Sequence, residues 1–281
     1  MKKIILTSLF AAVAVSAANA GVIDNNPLYR PNGGHFYSVT DLATDTAWEG
    51  WGLGEEFGYG INDKLSVIAT TKLSAYFPES DLYGNNNYAW DNFGLKLNYR
   101  VLDDKNIKAD VYGGVAQNYA TTGGETKNGK FHYKNFDDLE TTSYDWTVGA
   151  RAGYTTKEFT IAGLVEYTYS KDDIGTDVDS GKWTFGLNGQ YVIDTNWNIT
   201  GGASYALTML GDDNPAKIWA NAHVVNAYVG ANYNIDDYKF VGVYVAQNWG
   251  KASTGNSSTT ISSDWEIADE TIIGAKFGID F

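Results

Sequence analysis

The last twelve residues of the chain, from Glu270 to Phe281, alternate between two kinds of side chain. Every second residue from Thr271 onward is mostly apolar, and the residues between carry both signs of charge and two glycines. Successive side chains of a β-strand point to opposite faces, so this segment would have one apolar and one polar face. A water-soluble sandwich would bury the apolar face. A transmembrane barrel would turn it toward lipid and leave the polar face in the lumen.

The N-terminus has the pattern of a secretory signal peptide. Two lysines precede an apolar run that ends in Ala18-Asn19-Ala20, which supplies the basic start, apolar middle and small-residue exit of such a peptide. We predict cleavage after Ala20, so that residues 1–20 are a removable signal, residues 21–34 an irregular lead-in and residues 35–281 the barrel. A short plug formed by the lead-in is an alternative interpretation of that segment.

Composition narrows the class of protein further. Without the signal the chain keeps 18 basic and 34 acidic residues, a formal net charge of −16, which argues against nucleic acid as a partner. It has no cysteine, 20 tyrosines, 9 tryptophans and 4 prolines, a balance that favours many strands over disorder. After residue 20 no run of about 18 apolar residues occurs, which argues against helical membrane spans.

A tyrosine followed by an Asp/Asn-rich turn recurs along the chain. Copies begin at Tyr59, Tyr99, Tyr191 and Tyr233, with a degenerate copy at Tyr154. Asp and Asn favour such turns because they hydrogen-bond to their own backbone and tolerate left-handed conformations. The copies lie about 40 to 55 residues apart, which fits two membrane strands of about 11 residues plus a longer loop.

The segments beside these turns alternate with period two, as in Phe93 to Val101, and aromatic residues gather at their ends. Short turns at the tyrosine end alternate with long polar stretches at the other, such as Tyr119 to Thr142 and Gly250 to Ser263. Aromatic ends and sorted loops are typical of a transmembrane barrel, with the short turns in the periplasm. Five turns give ten strands, the C-terminal segment adds one, and His35 to Ala43 supplies another. We therefore predict an all-β antiparallel barrel of about 12 strands, with 10 or 14 as alternatives.

Two places depart from the alternation. Glu55 falls on the apolar face of its strand, and we expect a β-bulge there to turn it away from lipid. In Tyr238 to Gly250 both sets are apolar, and we expect Lys239 to point inward.

The signal peptide, the alternating strands and the terminal phenylalanine resemble the Gram-negative outer-membrane β-barrel proteins, porin-like in the broad sense. The resemblance covers the whole mature chain and rests on architecture, with no particular subfamily. It implies residence in the bacterial outer membrane, contact with its lipid and lipopolysaccharide, and recognition of the last strand by the barrel-assembly machinery. The residues that match this assembly signal are Phe277, Ile279 and Phe281.

The alternation places charged residues of both signs on the inner wall. The pore-lining candidates are Lys72, Lys96, Arg100, Lys108, Asp110, Arg151, Glu158, Glu166, Glu266, Glu270 and Lys276. The bases come mainly from earlier strands and the acids from later ones, so two opposed fields across a wet pore would select ions. Alternatively the charges pair with one another and plug a narrow barrel.

Small inward residues favour the open pore, because about 12 strands lined in this way leave space for water. These residues are Gly94, Gly114, Gly149, Gly153, Gly186, Gly202, Ser204 and Gly230.

The spacing of histidines, serines and aspartates in the sequence gives little support for a catalytic or metal-binding site. The three histidines, His35, His132 and His223, lie far apart in the sequence, and Ser204, on the strand before His223, points inward. The aspartates of the 172–179 loop lack the spacing of a calcium loop. We therefore expect no enzyme activity, no cofactor and no metal. The favoured function is passive passage of small polar solutes or ions, and the alternative is a structural or adhesin-like surface barrel with a closed lumen.

Overall fold

The computed structural model describes residues 26–46, 50–76, 87–120, 124–127, 130–133, 140–172, 179–210, 218–256 and 261–281. The predicted signal peptide and the first residues of the lead-in lie outside this part of the chain. The strands are β1 (Phe36–Asp45), β2 (Gly50–Gly60), β3 (Leu65–Tyr76), β4 (Asn87–Asp103), β5 (Ile107–Ala120), β6 (Gly124–Lys127), β7 (Lys130–Tyr133), β8 (Glu140–Thr155), β9 (Phe159–Asp172), β10 (Ser180–Val192), β11 (Trp197–Leu210), β12 (Ile218–Asp236), β13 (Lys239–Asn256) and β14 (Ile261–Asp280).

Twelve of these strands close into one antiparallel barrel, and β6 pairs with β7 as a separate hairpin. The barrel closes where β1 pairs with β14, from Tyr37 opposite Asp280 to Asp45 opposite Ile272. The main chains of Phe36 and Phe281 exchange two hydrogen bonds of 2.7 and 3.3 Å at the end of this seam. The predicted fold class, the count of 12 and the first strand are therefore confirmed. Among the described residues, no helix is long and apolar enough to cross a membrane.

The two faces of the wall differ in the way the alternation predicts. On β4 the outward Leu97 is 52% exposed, whereas its neighbour Asn98 on the inner face is 2% exposed. Aromatic side chains form ring contacts near the short turns, including Tyr154 with Phe159 and Trp197 with Tyr233. The barrel thus carries an apolar outer band above an aromatic rim, around a polar interior.

The strands run further than the 11 residues expected of a membrane span. At the long-loop end β13 and β14 remain paired as far as Asn256 opposite Ile261, inside the stretch predicted as a loop. Strand pairing satisfies backbone donors and acceptors in water as well as in lipid, so a polar sequence does not end it. The loop expected between Tyr119 and Thr142 likewise contains the β6–β7 hairpin.

Both predictions at irregular positions are wrong. β1 and β2 pair without a register shift, so Glu55 stays on the outer face, where Thr40 donates a 2.7 Å hydrogen bond and Ser38 donates another to its carboxylate. Two hydroxyl donors replace the solvation that a bulge would have restored. On β13 the inner positions belong to Phe240 and its alternate neighbours, so Lys239 lies at the exposed turn, 3.4 Å from the Asp236 carboxylate.

Candidate functional site

A cluster of three charged side chains lies on the inner wall near the short-turn end of β4, β5 and β8. Arg100 and Asp110 are direct partners in the β4–β5 register, and Asp110 is the direct partner of Arg151 in the β5–β8 register. The carboxylate of Asp110 accepts hydrogen bonds from Nε of both arginines, the one from Arg151 being 2.7 Å long. Asp110 is 1% exposed. One buried carboxylate is therefore shared by two guanidinium groups. Arg100 also lies 3.6 Å from Asp103, which pairs with Lys108 at 3.0 Å, so three basic groups face two carboxylates and a net positive charge remains.

The remaining donors of the two arginines point at the lead-in. Residues 26–34, here called the N-terminal plug, enter the short-turn end of the barrel. Arg151 donates to the carbonyl oxygens of Pro27 at 3.2 Å and Tyr29 at 2.8 Å, and Arg100 donates to that of Leu28 at 2.7 Å. Three successive backbone carbonyls thus occupy the guanidinium donors that Asp110 does not use.

Other contacts of the plug reach across the mouth of the barrel. The Tyr29 hydroxyl donates to Asp280 at 2.7 Å, Asn26 donates to Thr160 at 3.0 Å, and Arg30 donates to the carbonyl of Asn62 at 3.1 Å. Burial raises the pKa of the Tyr29 hydroxyl, and the bond to Asp280 raises it further, so the phenol remains a donor at physiological pH. Leu28 is almost fully buried. Residues 26–34 contain no strand, and their contacts are those of the plug arrangement.

Charges elsewhere on the inner wall are also paired locally. Lys72 lies 3.6 Å from Asp91, and Lys276 lies 3.9 Å from Asp41. The Tyr244 hydroxyl donates to Asp41 at 3.0 Å. These pairs join neighbouring strands, so the described charges are interleaved and do not form two opposed fields.

The wall on β10 to β13 has a different composition. Its inner positions are mainly amides and hydroxyls, and the amides bond across strands: Asn226 donates to Asn248 at 2.7 Å, and Asn232 donates to Asn198 at 2.8 Å. Sequence reasoning missed this amide surface, although asparagine recurs at the inward parity of β11, β12 and β13 and could have revealed it.

Inward aromatic rings lie flat against glycines of the adjacent strand. Tyr112 pairs directly with Gly149, and a methyl group added to Gly149 would stand 2.5 Å from the ring. Tyr228 covers Gly202 across β11 and β12 in the same way. Three similar pairs are Tyr37 with Gly58, Tyr244 with Gly274 and Phe240 with Gly278. Among the inward glycines that were expected to leave space, Gly149 and Gly202 receive rings, which lie against the wall there. The others have no ring atom among their nearest contacts: Gly94, Gly114, Gly153, Gly186 and Gly230.

The other sequence-derived candidates occupy varied positions. Lys96 lies on the inner wall with its ammonium 4.9 Å from the centroid of the Tyr112 ring, and Glu166 is buried and hydrogen-bonded to the same tyrosine. Lys108 sits at the rim, 3.0 Å from Asp103, and Glu158 is exposed in the β8–β9 turn, so neither reaches the centre.

The last strand contains a shift in register. Glu270 keeps the inward parity opposite Asn248, but the shift lies between it and Glu266, which pairs with Lys251. The alternation that places Glu270 inside therefore does not extend to Glu266, whose side chain is outside the described part. Phe277 and Phe281 are exposed on the outer face, with Ile279 on the same parity.

A cavity of about 70 Å³ lies between the plug and the inner wall, bordered by Lys96, Tyr112, Arg151, Glu166 and Asn188. One water needs roughly 10–15 Å³ of such space, so the cavity has room for several waters. Strands on both sides of the barrel contribute to it. The interior thus combines a polar cavity of water-accommodating size with an outer surface suited to lipid.

An apolar outer face around a polar interior, in a closed antiparallel barrel, is the architecture of a membrane-spanning β-barrel. The chain has the fold of the outer-membrane β-barrel proteins. An outer-membrane channel from Pseudomonas putida F1 has a similar structure, with a TM-score of 0.51 and 11% identity over 90% of this chain and 97% of that one. OmpT of Vibrio cholerae has a TM-score of 0.49 and 10% identity, with 90% of this chain and 100% of that one covered. The KdgM porin has a TM-score of 0.49 and 8% identity, with 87% of this chain and 99% of that one covered. At these identities the likeness concerns the fold alone.

No protein-family model matches the sequence, and no curated protein matches it. In this barrel, His223 bonds to the Tyr205 hydroxyl at 2.6 Å on the outer face, whereas Ser204 is buried on the inner face. The two therefore do not form a Ser-His pair. Within the described residues no three potential metal ligands lie together. The aspartates at 173 and 177 and the side chain of His132 lie outside the described part.

Proposed function

We propose that this chain is an outer-membrane channel through which small polar solutes or ions diffuse passively. The observation that carries the proposal is the cavity with room for several waters inside a closed twelve-strand barrel, bordered by charged, aromatic and amide side chains from both sides of the wall. A structural barrel of this size has no need to keep its aromatic rings flat against the wall. Rings seated on glycines leave a path beside them.

The apolar outer band also supports residence in the bacterial outer membrane, among its lipid and lipopolysaccharide. The exposed C-terminal aromatics on β14 support insertion by the barrel-assembly machinery. Deletion of Phe281 removes two main-chain hydrogen bonds and one ring contact from the closing seam. We expect the deletion to reduce the membrane-inserted fraction several-fold while export continues. Normal insertion of the truncated chain would contradict this assignment.

A second candidate has its own observation. The N-terminal plug occupies the short-turn mouth, which supports a surface-interaction barrel whose lumen stays closed. Planar-bilayer recordings of the refolded mature chain, and of a variant lacking residues 21–34, separate the two functions. Conductance steps in either protein support the channel. No steps in either, with both folded by circular dichroism, would reject the channel and leave the closed barrel.

A further inference from the structure

The N-terminal plug presents acceptors to the two arginines in the way a bound solute would. Three carbonyl oxygens in a row receive hydrogen bonds from the terminal nitrogens of Arg100 and Arg151. Both guanidinium groups are held at Nε by Asp110, so their outer donors are fixed in direction. A pair of oriented guanidinium groups is suited to a planar carboxylate, which can accept two parallel hydrogen bonds.

The charge of the cluster favours an anion over the carbonyls that now occupy it. Two carboxylates, Asp110 and Asp103, face three basic groups, so the acceptor in the remaining position faces a net positive charge. A carboxylate adds its own negative charge and can accept two parallel hydrogen bonds from a guanidinium group, which a backbone carbonyl cannot do. A carboxylate therefore interacts more strongly at this position than a backbone carbonyl does.

The plug compensates for weaker acceptors by being part of the same chain. It connects directly to β1, and a short connection of this kind gives an effective concentration on the order of millimolar or higher. Its anchors at Asp280, Thr160 and Asn62 add to this advantage. A competing solute must therefore be present at comparable or higher concentration to displace it.

We propose that Arg100 and Arg151 form a binding site for the carboxylate group of a small solute, and that the N-terminal plug occupies this site until such a solute displaces it. The proposal rests on the proposed channel function for the solute's route to the site. Arg151 borders the cavity together with Lys96, so a solute entering from the long-loop end meets a second cation before it reaches the pair. The plug is then an internal competitor of the solute.

Docking of the plug can be measured without any ion flow. The chain has no cysteine, so the variant Asn26→Cys with Thr160→Cys carries a single thiol pair, placed where the native side chains are 3.0 Å apart. The rate of disulfide formation with a mild oxidant reports how often the plug is docked. We expect 100 mM glutarate to slow this reaction at least threefold, relative to neutral glutaramide at matched ionic strength with chloride. Equal rates in glutarate and glutaramide would overturn the proposal.

Two backgrounds test whether the arginines carry the effect. In Arg151→Gln the glutarate effect should fall below 1.5-fold, because one guanidinium of the pair is gone. In Lys72→Gln, which removes the same charge from the inner wall outside the cluster, the threefold effect should persist. Loss of the effect in both variants would mean that general attraction to the lumen, and not the arginine pair, explains it, and the proposed site would be rejected.

Conductance then separates this inference from the channel itself. The oxidised double-cysteine variant should conduct less than its reduced form, and each single-cysteine variant should respond to neither oxidant nor reductant. A barrel that never conducts, yet shows the glutarate effect on cross-linking, would lose the channel function and keep the carboxylate site. A barrel that conducts equally in oxidised and reduced forms would show that the plug does not control passage.

Discussion

Two regions of the inner wall solve the problem of buried polarity differently. On β4, β5 and β8 the wall carries full charges that pair across strands and still leave donors for the plug. On β10 to β13 it carries amides that pair with one another, as Asn226 does with Asn248. Among the described hydrogen bonds, the plug bonds to β4, β8, β9, the end of β14 and the β2–β3 turn, and not to β10–β13. The plug thus docks where the wall has surplus charge, although the amide side also holds buried polar atoms without a described partner.

Replacement of Asp110 by asparagine should break the charged side most severely. The change leaves the buried Arg100 with only the more distant Asp103 carboxylate and removes the counter-charge of the partly buried Arg151. Loss of one partner from a buried ion pair costs about 3–5 kcal/mol. Guanidinium chloride unfolding of the refolded barrel, followed by tryptophan fluorescence, measures this loss. A change below about 1 kcal/mol would mean that lumen water solvates the arginines, and the cluster would then have no structural role.

Replacement of Gly149 by alanine should affect both stability and passage. The new methyl group would stand 2.5 Å from the Tyr112 ring, which must then swing toward the centre of the lumen. Overpacking of this kind costs about 1–3 kcal/mol, and we expect single-channel conductance to fall. The double variant with Tyr112→Ala should recover the conductance. If the double variant stays low, the ring is not the obstruction.

Replacement of Asn232 by alanine tests the amide side. The variant loses the 2.8 Å bond to Asn198, and because Asn198 is 1% exposed its amide oxygen loses a donor that water does not replace. We expect a loss of about 1–3 kcal/mol in the same unfolding experiment, below that of Asp110→Asn because no full charge is left buried. A loss equal to that of Asp110→Asn would remove the energetic distinction between the two sides.

Replacement of Lys96 by glutamine should have the smallest effect on stability. A cation over an aromatic ring contributes about 0.5–1 kcal/mol when exposed. The change removes one positive charge from the border of the cavity, so the reversal potential in a salt gradient should shift toward cation preference. An unchanged reversal potential would place Lys96 outside the path of the ions.

The fold was accessible from sequence because its signal is local and repeated. Period-two alternation predicts which face of each strand is apolar. The tyrosine-marked turns predict the number of strands, and the terminal strand predicts where the barrel closes. The arginine cluster was harder: Arg100, Asp110 and Arg151 were all assigned inward, but separations of 10 and 41 residues do not reveal which of them share a depth. The depth that two residues share depends on the register of the paired strands, and the register depends on the turns and the β-bulges.

Three features gave no usable pattern. The plug binds the arginines through backbone carbonyls, which every residue has, so no side chain in the sequence indicates the contact. Register shifts such as the one between Gly250 and Lys251 reverse the expected face without a distinctive residue. Lys239 was misplaced because both faces of its segment are apolar, and the choice depended on which aromatic ring found a glycine across the strand pair.

The pairs of inward rings and cross-strand glycines also constrain how neighbouring strands can align. Each ring meets its glycine only when the two strands are aligned at one position, as for Tyr244 with Gly274 and Phe240 with Gly278 on the last hairpin. A slip of two residues would keep every side chain on its proper face and yet press a ring against a neighbour that has a side chain. Alternation alone cannot detect such a slip, but the seated rings penalise it. The rings packed on glycines therefore favour one alignment of neighbouring strands over alignments shifted by two residues.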